Sequence, residues 1–445
     1  MIRRAHKVMP PRREGPGPAS APAPAAARGL LIVHAEELVT LRGPWVRARR
    51  GAEMRDLGIV PDGAVFVEGG RVRLVGDSRD VLRVRGDAKD VIEATGKVVL
   101  PGFVDAHTHA AFAGSRHGEL AWKAEGLSYR EIAARGGGIL RTVRDTRAAP
   151  REALLAATRK RLDGMLRFGT TTAEMKSGYG LTTESELGIL QAIDELAGVH
   201  PTGLVSTFLG AHAVPPEFEG RADAYADLVA NEMVPAIASR RGARFCDVWI
   251  EDGMFTVDQA RRIFASAKAH GLDAKVHADE LSDTGGAALA AEVEAVSADH
   301  LLHSSEAGLR AMADRGVIGV LLPGTSLAAN LPFADARRIL SAGVPVALGT
   351  DLSPGSWNES MQVVLALATH GLGMYPEEAV TAATVNAAFA LGRGKEVGSL
   401  EPGMAGDLLV LDADSVGHLG YRLGGNLVEK VIKAGRVVVD RAPLR

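Results

Sequence analysis

Four places in this 445-residue chain carry side chains whose types and spacing suit metal-assisted hydrolysis. His107 and His109 stand two apart in HTH. On an extended strand such residues share a face, so both imidazoles can reach one ion. His277-Ala278-Asp279-Glu280, Asp299-His300 and Thr350-Asp351 each close an apolar run. Three imidazoles and a carboxylate, without thiolates, form a first-row metal set suited to zinc or iron. Such a set fits a catalytic site with an open position better than a closed structural one. A lone HxH means little, and a single strand-end histidine is as often a hydrogen-bonded core residue. The coincidence of ionisable groups at several run ends is what argues for a site. Glu280, three residues past His277, is placed to take a proton from an activated water and hand it to a leaving nitrogen. His300 is read as a fifth ligand or as the donor that orients the water. The expected chemistry is hydrolysis at an amide-like or amidine-like carbon.

Other residues could face a substrate. Arg116, seven residues past His109, is a partner for a carboxylate, with a solvated surface charge as the plain alternative. Lys176-Ser177-Gly178-Tyr179-Gly180 brings a phenol between glycines that allow close backbone approach. His212 in GAHAVPP offers a neutral donor or acceptor. After Asp351, Ser353, Gly355 and Ser356 offer hydroxyls and N–H groups, although a simple turn uses the same residue types. Gly136-Gly137-Gly138 has the composition of a mobile hinge. Cys246, the single cysteine, permits no intrachain disulfide and reads as a buried, inert thiol.

Groups at the ends of separate runs need a scaffold that gathers those ends. Strand-like segments at 103–109, 170–177, 203–212, 245–252, 274–280, 295–301, 318–324 and 344–351 alternate with helical patterns. One helix, TVDQARRIFASAKAHG, has Thr256 as its expected N-cap and Gly271 as its stop. This repetition predicts an α/β fold, a (β/α)8 TIM barrel over 99–397, whose functional groups sit at the C-terminal ends of the strands. A doubly wound sheet would carry a glycine-rich phosphate turn after its first strand, where this chain has His-Thr-His. Residues 30–98 and 398–445 share a different texture of short β-prone runs. Gly69-Gly70 and Gly435 stand at hairpin turns, which predicts one small flanking β-sandwich domain built from both terminal segments.

Composition narrows the function classes. Lys plus Arg is 51 against 54 Asp plus Glu, giving net charge -3 and no footprint for nucleic acid. No apolar run approaches the length of a membrane span. One cysteine favours a reducing compartment, so a soluble cytoplasmic protein is expected. Residues 1–29, rich in Pro, Ala and Arg, are expected to be disordered. They lack the apolar segment of a secretion signal and are too proline-rich for a continuous amphipathic transit helix.

The blocks PGFVDAHTH, KSGYG, FLGAHAVP, KVHADE, SADHL and TDLSPGS, in this order, resemble the amidohydrolase superfamily and, within it, the imidazolonepropionase family. The match runs from about Leu30 to the C-terminus. It implies one zinc or iron ion per chain and a homodimer. The implied reaction is hydrolysis of the cyclic amide C–N bond of 4-imidazolone-5-propanoate to N-formimidoyl-L-glutamate in histidine degradation. Position by position, the resemblance makes His107, His109, His277 and Asp351 the metal ligands, with Asp351 also in the catalytic set. Glu280 becomes the acid/base, which also meets the substrate, and His300 the water-placing histidine. Arg116, Tyr179, His212, Gly355 and Ser356 become substrate contacts. Ser353 stands where the family often has Asn and is shorter, and Trp357 beside it is expected to reshape the pocket. Lys176 is not read as a metal-bridging carbamylated lysine, because the implied site holds one ion. Two other readings stand beside this one: a purine or pyrimidine deaminase of the same superfamily, and a non-catalytic barrel scaffold. Arg116 weighs against the first, and the complete ligand set against the second.

Overall fold

The structure, a computed structural model, describes residues 29–43, 46–85, 88–127, 129–240 and 242–441. The expectation of disorder over 1–29 falls, except for Gly29, outside the described residues.

Eight parallel strands form the central sheet: β1 (Phe103–Asp105), β2 (Thr170–Lys176), β3 (Gly203–Ala211), β4 (Phe245–Ile250), β5 (Asp273–Ala278), β6 (Ser297–His300), β7 (Ile318–Leu321) and β8 (Val346–Leu348). Each pairs with its sequence neighbour, as in a (β/α)8 barrel. The seam between β8 and β1 is closed just past the strand ends. There the Asp351 N–H donates to the His107 carbonyl (3.0 Å) and the His109 N–H to the Leu352 carbonyl (3.0 Å). Closure therefore sets the His-Thr-His segment beside Asp351, which follows His109 by 242 residues. The ladder of β1 ends at Asp105, so both histidines sit in the bridged extension rather than in the strand proper.

Helices cover the outside of the barrel, and their ends follow local chemistry. The helix Val257–Ala269 begins at a capping box in which Thr256 Oγ1 accepts from the Gln259 N–H (3.3 Å) and Gln259 Oε1 accepts from the Thr256 N–H (2.9 Å). It stops at Gly271, whose φ of +78° suits a residue without Cβ.

The second sheet is mixed and joins both ends of the chain. Val98–Pro101 pairs parallel with Gly29–Val39 and antiparallel with Leu408–Leu411, which continues to Val428–Lys433 and Arg436–Asp440. The hairpin Ile59–Glu68/Arg71–Asp77 turns at Gly69-Gly70, with φ of +62° and +76°, the conformation a two-residue turn requires. Ala434 and Gly435, also at positive φ, turn the C-terminal hairpin. Cys246 is fully buried in β4, where burial pushes its thiol up. Among the described residues no helix is long and apolar enough to cross a membrane.

Candidate metal centre and substrate cavity

Three imidazoles converge on one point at the C-terminal mouth of the barrel. Nε2 of His109 lies 3.1 Å from Nε2 of His107 and 3.3 Å from Nε2 of His277. Asp351 Oδ1 stands 3.4 Å from His109 Nε2 and 3.6 Å from His107 Nε2. The protons of two of these rings are committed elsewhere. His107 Nδ1 faces Asp299 Oδ2 at 2.6 Å and His277 Nδ1 faces Asp247 Oδ2 at 3.0 Å, and a carboxylate there takes an N–H. Their Nε2 atoms therefore present lone pairs. Lone pairs at such separations repel unless a cation lies between them. Four ligand atoms about 2.0–2.1 Å from a tetrahedral ion stand roughly 3.3–3.4 Å apart, so the residues fit a first-row metal. His107, His109 and His300 have pKa values held well below the usual histidine range, first by burial and then by nearby cationic groups. Such low values favour the neutral form that a metal ligand takes. His277 shifts the other way. Burial pushes it down, but the Asp247 charge and hydrogen bond outweigh this and its pKa is raised.

Beneath the ligands the barrel interior is ionic. Lys176 Nζ contacts Asp247 Oδ2 (2.7 Å) and Glu174 Oε2 (2.8 Å); Lys275 Nζ contacts Glu174 Oε1 (2.9 Å) and the Ala106 carbonyl (3.0 Å). All five side chains of Lys176, Lys275, Glu174, Asp247 and Asp299 are fully buried. Burying such charges costs several kcal/mol each unless they are paired, which explains why acids and lysines alternate here. Both carboxylates that orient ligand histidines are thus clamped from below. Asp299 also accepts from Ser297 Oγ (2.7 Å). Asp299→Asn is expected to weaken metal binding roughly 10–100-fold by loosening the His107 tautomer, as measured by chelator competition. Unchanged affinity would mean that Asp299 does not orient His107.

The mouth is built on unusual backbone. His300 has φ of +78° and Asp351 +49°, left-handed values that cost a non-glycine residue about 1 kcal/mol or more. The turns they make aim these side chains across the mouth. Glu280, one residue beyond Asp279 at φ +53°, lies part-buried beside them. Burial first, then the Asp351 charge, raise its carboxyl to about 8. Its Oε1 lies 3.7 Å from His300 Nδ1.

A cavity of about 430 Å³ opens above this group. His109, His277, His300, Glu280 and Asp351 line it, together with Arg116, Tyr179, His212, Ser353, Gly355 and Ser356. Arg116 is a part-buried side chain rather than a fully solvated charge, 12% exposed. Its Nε and Nη2 bond the Glu119 carboxylate at 2.9–3.1 Å. Glu119, which the motif reading passed over, also accepts from the Gly138 N–H at 2.9 Å. Within the Gly136-Gly137-Gly138 run, Gly137 is closely packed: a Cβ on it would stand 2.9 Å from Ile132 and from Oε1 of Glu119, the carboxylate that bonds Arg116. Gly355 stands beside the guanidinium, where a Cβ would make ordinary contact with Arg116 Nη1 at 3.4 Å.

Tyr179 is 3% exposed, and its ring packs 5.3 Å from His212 and 6.0 Å from Phe112. The KSGYG loop is pinned by buried Glu186, which accepts N–H bonds from Gly178 (2.9 Å), Gly180 (2.8 Å) and Leu181 (2.7 Å). Gly178 is required there, since a Cβ would stand 2.9 Å from His212 Nδ1. The same Nδ1 lies 3.1 Å from the Gly178 carbonyl, an acceptor only, so Nδ1 carries the proton and Nε2 is an acceptor. His212 is neutral, its pKa lowered by burial to about 3. Ser353 Oγ accepts from the Ser356 N–H (3.1 Å) and stabilises the turn that follows Asp351. Trp357 is not among the residues that line the main cavity. It lines a neighbouring one, packed edge-on against Phe112 at 5.4 Å with its indole N–H on Glu359.

Comparisons with known proteins agree with this geometry. Residues 98–438 match the model of the amidohydrolase family. A relative named imidazolonepropionase from Symbiobacterium thermophilum is 50% identical over 421 residues, covering 94% of this chain and 98% of its own. A protein of the same name from Geobacillus kaustophilus is 48% identical over 417 residues, covering 93% and 98%. Among solved structures, a 5-methylcytosine deaminase from Klebsiella pneumoniae superposes with a TM-score of 0.69 at 19% identity, covering 93% of this chain and 98% of that one. At that identity the likeness is one of fold. The chain belongs to the amidohydrolase family and, within it, to the imidazolonepropionases.

Proposed function

We propose that this chain hydrolyses the ring C–N bond of 4-imidazolone-5-propanoate to give N-formimidoyl-L-glutamate in histidine degradation. The observation that carries the site is the meeting of the His109 Nε2 atom with those of His107 and His277, with Asp351 against His107 and His109 and Glu280 lining the same cavity. Those four ligands would hold zinc or iron, which when bound supplies Lewis acidity that acidifies water and polarises the ring carbonyl.

The remaining steps belong to side chains. Glu280 takes one proton from the attacking water as the new C–O bond forms at the ring carbonyl carbon. His300 donates to the oxyanion that develops there. Glu280 returns the proton to the ring nitrogen as the C–N bond breaks, and the former carbonyl becomes a carboxylate whose second proton goes to solvent. A carboxyl raised to about 8 by burial and by Asp351 releases and regains a proton near neutrality, which suits both steps. Tyr179, Ser353, Gly355 and Ser356 line the walls, and His212 Nε2 accepts from a ring N–H. Arg116, its plane fixed by Glu119, holds the propanoate and so aligns the ring.

Arg116→Ala is expected to raise KM roughly 10–100-fold with a small change in kcat, the cost of one charge-assisted carboxylate contact. An unchanged KM would remove Arg116 from the substrate site. The proposal includes a cytoplasmic homodimer, for which light scattering should give twice the chain mass. The test of function follows the ultraviolet absorbance of freshly made 4-imidazolone-5-propanoate. Rapid, chelator-sensitive loss with formimidoylglutamate appearing is the expected result. A metal-loaded protein that leaves the absorbance unchanged and releases ammonia from guanine or cytosine would overturn it.

A further inference from the structure

Trp249 has no place in the reading so far, yet it occupies a position from which a side chain reaches the chemistry. It is the last inward residue of β4, and the alternation that turns Asp247 to the His277 ring turns Trp249 upward two residues later. In the ladder it pairs with His277 itself. The residue is 8% exposed, lines the cavity, and its ring lies 5.8 Å from that of His212.

Its indole Nε1–H is a donor only, and among the described residues it meets no acceptor in hydrogen-bond geometry. A buried donor in this state is rare enough to require an explanation. The carboxyls that line the same cavity narrow the choice of partner. Glu119 is filled by Arg116 and the Gly138 N–H. Asp351 faces two ligand histidines and accepts from Thr325. Glu280 is left. Among the described residues it makes no hydrogen bond within normal length, its neighbour His300 Nδ1 being 3.7 Å away. The indole N–H favours its charged form, opposing the effect of burial. Catalytic hydrogen bonds are often loose before substrate binds and close in the complex.

We propose that Trp249 is a positioning residue that acts through Glu280, its indole N–H donating to the carboxylate and fixing which oxygen exchanges the proton. The proposal rests on the reading of Glu280 as the proton carrier. A flexible glutamate without such a donor samples several orientations, and only some of them line up with the water and the leaving nitrogen.

A double-mutant cycle on the metal-loaded protein tests this, with Trp249→Phe and Glu280→Gln made singly and together. Trp249→Phe keeps an aromatic ring and loses the donor. It is expected to lower kcat roughly 10–100-fold with KM within about twofold and metal content unchanged, the loss of one hydrogen bond to a charged group. In the Glu280→Gln background the same change should alter kcat by less than about twofold, because the group it positions no longer carries the proton. If Trp249→Phe does not fold, 3-benzothienylalanine at position 249, which replaces the N–H with sulfur at nearly constant shape, takes its place in the cycle. Equal losses in both backgrounds would overturn the proposal, as would a raised KM with kcat retained, which marks a substrate contact. Normal turnover of Trp249→Phe with Glu280→Gln inactive would sink the role of Trp249 alone. Normal turnover of Glu280→Gln would remove the proton-carrier reading itself.

Discussion

Glu280→Gln is expected to leave metal content and folding unchanged while lowering kcat by about 10²–10⁴-fold, the usual worth of a positioned acid/base. Glutamine matches glutamate in shape, so the cavity keeps its walls. Glu280 is not among the atoms that converge on the metal position, so the ligand set keeps its four members. What is lost is the capacity to hold a proton between two oxygens. Burial and the Asp351 charge raise the native carboxyl to about 8. Among the described residues the other carboxyls lining the cavity are engaged, Glu119 with Arg116 and Asp351 beside His107 and His109. Steady-state kinetics with parallel metal analysis decides the matter. A variant that turns over normally with full metal would take Glu280 out of the proton path.

His109→Ala is expected to cost more. Its Nε2 is the atom nearest to all the others in the cluster, 3.1 Å from His107, 3.3 Å from His277 and 3.4 Å from Asp351. Removing it opens the tetrahedron and leaves a three-ligand remnant. Metal stoichiometry should fall, and kcat/KM should drop by about 10³-fold or more, equivalent to roughly 4 kcal/mol of transition-state stabilisation. Chelation of the native protein should give the same loss, with recovery on adding zinc or iron. The native protein should also lose thermal stability when stripped, since a ligand bound only to the folded state stabilises it by mass action. The variant should show little of that response. Full activity in rigorously metal-free native protein would refute the metal assignment.

The sequence already carried the proposed ligands, the proposed proton carrier and the turns, because these depend on local rules. His107 and His109 stand two apart in an extended segment, Gly69-Gly70 meets the φ demand of a tight hairpin, and Thr256 caps its helix through a residue three positions on. The repeated strand-then-helix order gave the barrel, and the barrel gave the end at which chemistry collects. A further signal stood unread. A buried parallel strand is normally a continuous apolar run, yet Glu174 and Lys176, Asp247 and Trp249, Lys275 and His277, and Ser297 and Asp299 all break their strands at alternate positions. That pattern announces a polar barrel interior.

Tertiary structure alone decided which of these groups meet. His107 finds Asp299 across 192 residues of chain, and Lys176 finds Asp247 across 71. Parity states which face a side chain occupies. The partner across the barrel depends on strand tilt, stagger and closure, which no single segment encodes. The same holds for Glu119 against Arg116, for Glu186 inside the KSGYG loop, and for the Trp249 indole that shares the cavity with Glu280. Local spacing therefore determined what chemistry this chain can hold, and the closed barrel determined how its reactive groups are oriented, because orientation comes from contacts between residues far apart in sequence.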